Sequence, residues 1–359
     1  MHRRILIVTV CFFLLFAYTF NASVQAAELI EVATSPRHIW NGVAVSPQNR
    51  VFVNFPRWLE DDTPAVGEIL SDGSIQPFPG NEWNLSSLPA SEKFVNVNSL
   101  KADNDNYLWV VDSGAPHGVV IPGGAKLVQI DLNTNEVIRV YHFDNSIAPK
   151  YSYVDDVRLD EHHAYLSEAG VGAIIVLDLE SGKARRVLEN HPSTHANPSI
   201  VPMIEGKEFR DQQGKVPQIH VNDIELSPDG KYLYYQSTAG PNLYRIQTKF
   251  LVDEQLSDRQ LGERVELVGK SIVVGGMTMD FLGNLYLSDV ENNAIRRRYP
   301  NGNIELFIRD ERIHWPDASC LSQDGYLYFP AAQINRMPAF NNGIDRTEKP
   351  YRLYKVKVI

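Results

Sequence analysis

The chain has 359 residues, 43% of them hydrophobic and 22% charged, with 23 Gly and 21 Pro. That composition excludes disorder and collagen-like repetition, and it carries too many breakers for a helical bundle. Its 34 Lys and Arg against 44 Asp and Glu give a formal charge of −10, so the positive footprint that grips a phosphate backbone is missing and no nucleic-acid partner is expected.

At the N-terminus, Arg3 and Arg4 precede a 16-residue apolar run, 5–20, followed by Ala22, Ser23, Val24, Gln25 and Ala26. This order predicts a secretory signal peptide over 1–26, because the run is short of the roughly 20 residues that span a bilayer. The expected location is secreted or periplasmic, with no membrane contact after cleavage. The remaining 27–359 carry 32 basic and 44 acidic residues, net −12, and one thiol, Cys320, since Cys11 lies in the leader. No internal disulfide can form, so stability has to come from a core, as in bacterial periplasmic proteins rather than disulfide-rich animal ones.

From residue 42 onward one unit recurs six times: a short strand, a Gly/Asp/Asn turn, then a strand carrying an aromatic among aliphatics. The copies run from Gly42-Val43-Ala44-Val45 to Val51-Phe52-Val53; from Ser99-Leu100 to Tyr107-Leu108-Trp109-Val110; and from Asp156-Val157-Arg158-Leu159 to Ala164-Tyr165-Leu166. They continue from Asp223-Ile224-Glu225-Leu226 to Tyr232-Leu233-Tyr234-Tyr235, from Gly276-Met277-Thr278-Met279 to Leu285-Tyr286-Leu287, and from Asp317-Ala318-Ser319-Cys320 to Tyr326-Leu327-Tyr328. The spacings from Val43 through Leu100, Val157, Ile224, Met277 and Ala318 are 57, 57, 67, 53 and 41 residues, the size of propeller blades. Further alternating pairs follow at 126–131 with 137–142, 174–179 with 184–188 and 295–299 with 304–307, around turns such as Asp72-Gly73, Ser181-Gly182 and Asn301-Gly302.

Four strands in each of six units predict an all-β, six-bladed β-propeller over 27–359, a single domain. The sixth unit reaches only its third strand, at 351–358, before the sequence stops. The alternating segment 28–34 is expected to supply the missing outer strand and so remove a sheet edge. Two long aperiodic stretches, 190–220 and 333–351, interrupt the repeats; if both lie on one face they form a lid.

Inner strands line the axis of a propeller, so equivalent residues make rings. One ring reads Asn41, Asn98, Asp155, Asn222, Gly275 and Pro316, and the next Gly42, Ser99, Asp156, Asp223, Gly276 and Asp317. Short oxygen-bearing side chains at one height either bond their own backbone or line a pocket for a hard cation or a polar, positively charged ligand. Trp40, His220, His314 and Trp315 flank these strands, the two tryptophans as stacking walls for a cation or as wedges between blades. No cofactor is fixed by the residues; a divalent ion such as calcium would draw on Asn222, Asp155 and Asp223. Other motifs fail on spacing. Asp103-Asn104-Asp105-Asn106 begins like a calcium loop but continues Tyr107-Leu108, which makes it a hairpin turn, and neither an HExxH, a GxSxG nor a Walker sequence occurs.

The stretches Asn98-Ser99-Leu100 to Leu108-Trp109-Val110-Val111-Asp112-Ser113-Gly114, His191-Pro192-Ser193, Ile224-Glu225-Leu226-Ser227-Pro228-Asp229-Gly230 and Leu243-Tyr244-Arg245-Ile246 resemble the yellow/major royal jelly protein family. The resemblance runs from about residue 40 to the C-terminus. It implies a secreted six-bladed propeller with a small-molecule site in the central channel, in some members for biogenic amines, and in a few insect relatives dopachrome conversion. The chain is similar, more distantly, to the gluconolactonase and senescence-marker propellers. Of their metal-holding Glu, Asn and Asp, only the Asn is matched, by Asn222; Asn41 and Gly275 stand at the other two positions. Three functions are therefore carried forward. The first is binding of a small polar or cationic ligand by Asn41, Asn98, Asp155, Asp156, Asn222, Asp223, Asp317, Trp40, Trp315 and His220. The others are metal-dependent lactone hydrolysis and dopachrome-type isomerisation.

Overall fold

A computed structural model describes residues 27–59, 64–85 and 87–358. The expected signal peptide lies outside the described residues. Six four-stranded antiparallel sheets follow one another along the chain, each meandering outward from an inner strand. The inner strands are Gly42–Val45, Val97–Ala102, Val154–Leu159, Val221–Leu226, Val274–Met279 and Cys320–Leu321, which define blades 1 to 6. Every expected inner strand is present, and the fold is the six-bladed β-propeller read from the repeats.

Blade 6 closes as the unfinished sixth unit requires. Leu29–Ser35 pairs antiparallel with Tyr351–Lys357 and becomes the outermost strand of a sheet whose other members come from the opposite end of the chain. This join ties the two ends together and covers an edge that would otherwise be open to pairing.

The apolar core lies between blades rather than within them. Phe52, Val66, Leu100, Leu108 and Val128 fill the gap between blades 1 and 2, and Trp109, Leu127, Val157, Leu166 and Ile175 that between blades 2 and 3. Both faces of second strands such as Leu108-Trp109-Val110-Val111 are buried, which is why they read as continuous apolar runs. The aromatic of the second strand has a further role. Trp109 donates to the Asp103 carboxylate at 2.7 Å and Tyr165 to Asp160 at 2.6 Å, so the ring side chain locks the hairpin turn that precedes it. The stretch that begins like a calcium loop is accordingly a turn, with Asp103 also accepting from the amides of Asp105 and Tyr107.

In blades 2 and 3 an ion-paired buried carboxylate at the end of the second strand holds it to the chain entering the blade. Asp112 accepts from the amides of Val95, Asn96 and Gly114 and from the fully buried Lys126 at 2.8 Å. In blade 3 Glu168 takes the same place, receiving Tyr153 N, Gly170 N and Arg186. Each is the fully satisfied arrangement that a buried carboxylate needs.

Candidate functional site

Four of the six inner strands contain a β-bulge, and all four bulges fall at the predicted rings. The pairing slips between Val97 and Ser99, Val154 and Val157, Val221 and Asp223, and Val274 and Met277. An ordinary strand would aim successive side chains to opposite faces; a bulge lets two neighbours face the same way. Asn98 with Ser99, Asp155 with Asp156, and Asn222 with Asp223 therefore all line one pocket on the axis, joined by Asn41 and Asp317. Its volume is about 350 Å³. On the blade 5 side the ring is bare backbone. A Cβ on Gly276 would come within 2.7 Å of Asp317 O and Ala318 Cα, so only glycine allows blades 5 and 6 to approach this closely.

The polar residues form a relay between blades. Asn54 donates to Asn41 at 2.6 Å, Asn41 to the carbonyl of Asn98 at 3.1 Å, and Asn98 to the Asp155 carboxylate. Ser99 donates to Asp156 at 2.7 Å. Tyr153, absent from the sequence reading, receives the Trp58 indole N–H at 2.7 Å and donates to Asn98 at 2.9 Å; it and Trp58 both line the pocket. Burial, followed by the nearby Asp155, pushes the Tyr153 phenol well above its usual range, so it stays a donor.

Beneath the ring, Arg158 crosses the channel. Its guanidinium pairs with Asp156 at 2.8 Å and Glu225 at 2.9 Å, and donates to the carbonyl of Met277 in blade 5 at 3.1 Å. Burial works against its charge, but the two carboxylates more than offset this and hold the proton more firmly than usual. Asp156 is thereby satisfied. Asp155, Asp223 and Asp317 are not: burial first, then the mutual repulsion of the four aspartates, pushes all three carboxyls well above the ordinary carboxylate range. Asp223 Oδ2 has no hydrogen-bond partner.

Eight of the ten residues expected at the site line the pocket: Asn41, Asn98, Asp155, Asp156, Asn222, Asp223, Asp317 and Trp315. Two do not. Trp40 is fully buried among Val43, Val53 and Leu353 between blades 6 and 1, its indole donating to Arg352 O at 3.3 Å, so it is a wedge and no stacking wall. His220 lies outside the pocket lining; its Nδ1 accepts from Ala196 N, its ring packs 4.8 Å from His195, and burial with His195 lowers its pKa. The remaining wall is apolar and comes from the two long loops, through Ile219, Ile334, Met337 and Phe340.

The sequence model of the major royal jelly protein family matches residues 95–358, well over half of the chain. The chain belongs to this family. Among curated relatives it is 23% identical over 230 residues to major royal jelly protein 7 of Apis mellifera, covering 60% of this chain and 49% of that one. It is 22% identical over 290 residues to major royal jelly protein 2 of the same species, covering 74% and 61%. The chain spans about half the length of most of the curated relatives it matches. Among solved structures it is similar to a luciferin-regenerating enzyme (TM-score 0.58, 9% identity, covering 93% of this chain and 96% of that one). It is also similar to a gluconolactonase from Xanthomonas campestris (0.55, 10%, covering 93% and 90%) and to virginiamycin B lyase from Staphylococcus aureus (0.54, 15%, covering 93% and 100%). At these identities the likeness establishes the fold alone. The gluconolactonase-type metal does not fit this ring. Asn222 matches one ligand of that metal's set, but Asn41 and Gly275 stand where the set has its two carboxylates, and no cluster of three or more His, Cys, Asp or Glu side chains arranged as a metal site is found among the described residues.

Proposed function

We propose that this family member is exported and binds a small cationic ligand, an amine, in the axial pocket. One observation carries the reading. Four aspartates crowd the floor of a cavity whose other lining is neutral, apolar or amide and hydroxyl, and among the described residues the buried cation paired with that floor, Arg158, is already shared between Asp156 and Glu225. A cation would supply the charge that Asp155, Asp223 and Asp317 lack, while Trp58, Tyr153 and Trp315 offer faces and polar edges to the rest of the molecule. Export is supported by residues 1–26, which carry the composition of a leader.

The test is calorimetric titration of the protein with a panel of primary and arylalkyl amines, repeated with Asp223→Asn. Loss of one charge-assisted hydrogen bond is expected to weaken binding by about 1.5–3 kcal/mol, roughly 10- to 150-fold. Amines that bind the variant as tightly as the parent remove Asp223 from the site. Neutral lactones binding in preference to amines would overturn the charge argument as a whole.

A further inference from the structure

The connection from blade 3 to blade 4 takes a path longer than it needs. It leaves the outer strand Ala184–Val187 and returns to the inner strand at Val221, but between these points it reaches across to blades 5 and 6. The far end is a two-residue ladder, Met203–Ile204 with Lys207–Glu208, too short to stand without outside support. Met203 N donates to Glu291 at 2.8 Å in blade 5, and Gln212 to the carbonyl of Pro338 at 3.2 Å. Phe209 packs between Trp315 and Phe340, with ring centroids 5.0 and 4.4 Å away. The returning limb carries Ile219 into the pocket wall, which it lines together with Phe340 and Met337 from the blade 6 loop. That loop is itself clamped at its base, where Gln333 exchanges two hydrogen bonds with the backbone of Glu348.

The tip of the hairpin, Glu205-Gly206, has positive φ at both residues, 50° and 76°, the geometry of a type I′ turn. Asn or Gly suits the first position, and a Glu there is held in a strained backbone conformation. Its carboxylate offsets that strain: Oε1 meets Arg336 Nη2 at 2.8 Å and His314 Nδ1 at 2.8 Å, and Arg336 reaches on to Glu348 at 2.7 Å. Although burial alone would raise its pKa, His314 and Arg336 bring the Glu205 carboxyl down to about 2.

We propose that Glu205 is a positioning residue, a latch that fastens the strap 190–220 to blade 6 and so holds the apolar wall of the axial pocket in place. The latch does not depend on which ligand the pocket takes, and its test uses none. Glu205→Asn keeps a residue that favours the turn but shortens the side chain beyond reach of Arg336 and His314. Amide hydrogen exchange over 200–212 and 334–341 is expected to accelerate at least about tenfold, with inner-strand peptides unchanged. Initial tryptic cleavage after Lys207 and Arg210 should rise by a similar factor, and the conservative Glu205→Gln should fall between the two. Exchange and cleavage within twofold of the parent would overturn the latch. So would acceleration spread equally through the inner strands, because Glu205 would then be holding the propeller rather than the strap.

Discussion

Replacing Arg158 with Met is expected to lower the free energy of unfolding by about 3–5 kcal/mol, the usual cost of leaving buried charges without their partner. Arg158 is 5% exposed and serves carboxylates from two blades and a carbonyl from a third, so its removal strands Glu225, itself 6% exposed, and deprives Asp156 of its paired cation. Urea unfolding at neutral pH is the measurement. A second variant separates charge from shape: in Arg158→Met with Glu225→Leu the stranded acid is gone, while Asp156 keeps the Ser99 hydroxyl and the Val157 amide. That double variant should recover most of the loss. A single-variant loss below about 1 kcal/mol would mean that water or a rearranged floor satisfies the acids, and Arg158 would not be the channel's structural counter-ion.

The second large effect has the opposite sign. Asp155→Asn is expected to stabilise the ligand-free protein at neutral and mildly alkaline pH. Burial and neighbouring aspartates raise the folded-state pKa of Asp155 well above 3.8, so the folded chain holds a proton that the unfolded chain has released. Stability from such a group is fully present below about pH 3.8 and is lost as pH rises through the folded value. The slope is about 1.4 kcal/mol per pH unit for each proton by which the two states differ. An asparagine has no proton to lose, and its carbonyl can still accept from Asn98. Carboxylates with lowered pKa outside the ring, such as Glu205 and Asp160, pull the other way in parent and variant alike, so the difference between the two curves reports Asp155 together with its coupling to Asp223 and Asp317. Melting curves from pH 4 to 9 should show the variant's advantage growing with pH. A variant less stable than the parent at pH 8 would show that Asp155 is satisfied as a carboxylate. The same substitution should weaken an amine ligand, and the opposed effects are what a binding site built at the expense of stability predicts.

Much of the fold was legible because a propeller writes itself into the sequence several times. The six apolar strand pairs, the Gly-containing turns and the alternation of 28–34 each report local geometry, and all point to the same architecture. Most of the ring was legible for the same reason: once the inner strands are aligned, Asn41, Asn98, Asp155, Asn222 and their successors fall at one height. Trp40 was ambiguous, since an aromatic next to an inner strand has the same signature whether it faces the axis or wedges between blades. Only the packing of blade 6 against blade 1 places it.

Arg158 shows where such reading stops. It stands in an aligned strand, two places after Asp156, yet its partners lie 67 and 119 residues away in blades 4 and 5, and no local pattern announces a contact across the channel. Tyr153 and Trp58 meet over 95 residues, and Glu205 meets Arg336 over 131, for the same reason. The bulges matter as much. In a regular strand Asp155 and Asp156 would point apart; the slip in pairing brings both to the pocket, and it is set by how each inner strand fits its neighbour. The sequence by itself thus determined the number of blades, the closing strand and the residue types at the axis, all properties that repeat with local period. The charge balance of the pocket and the latch over its wall were decided by the tertiary structure, because both depend on burial and on contacts between blades that are distant in the chain.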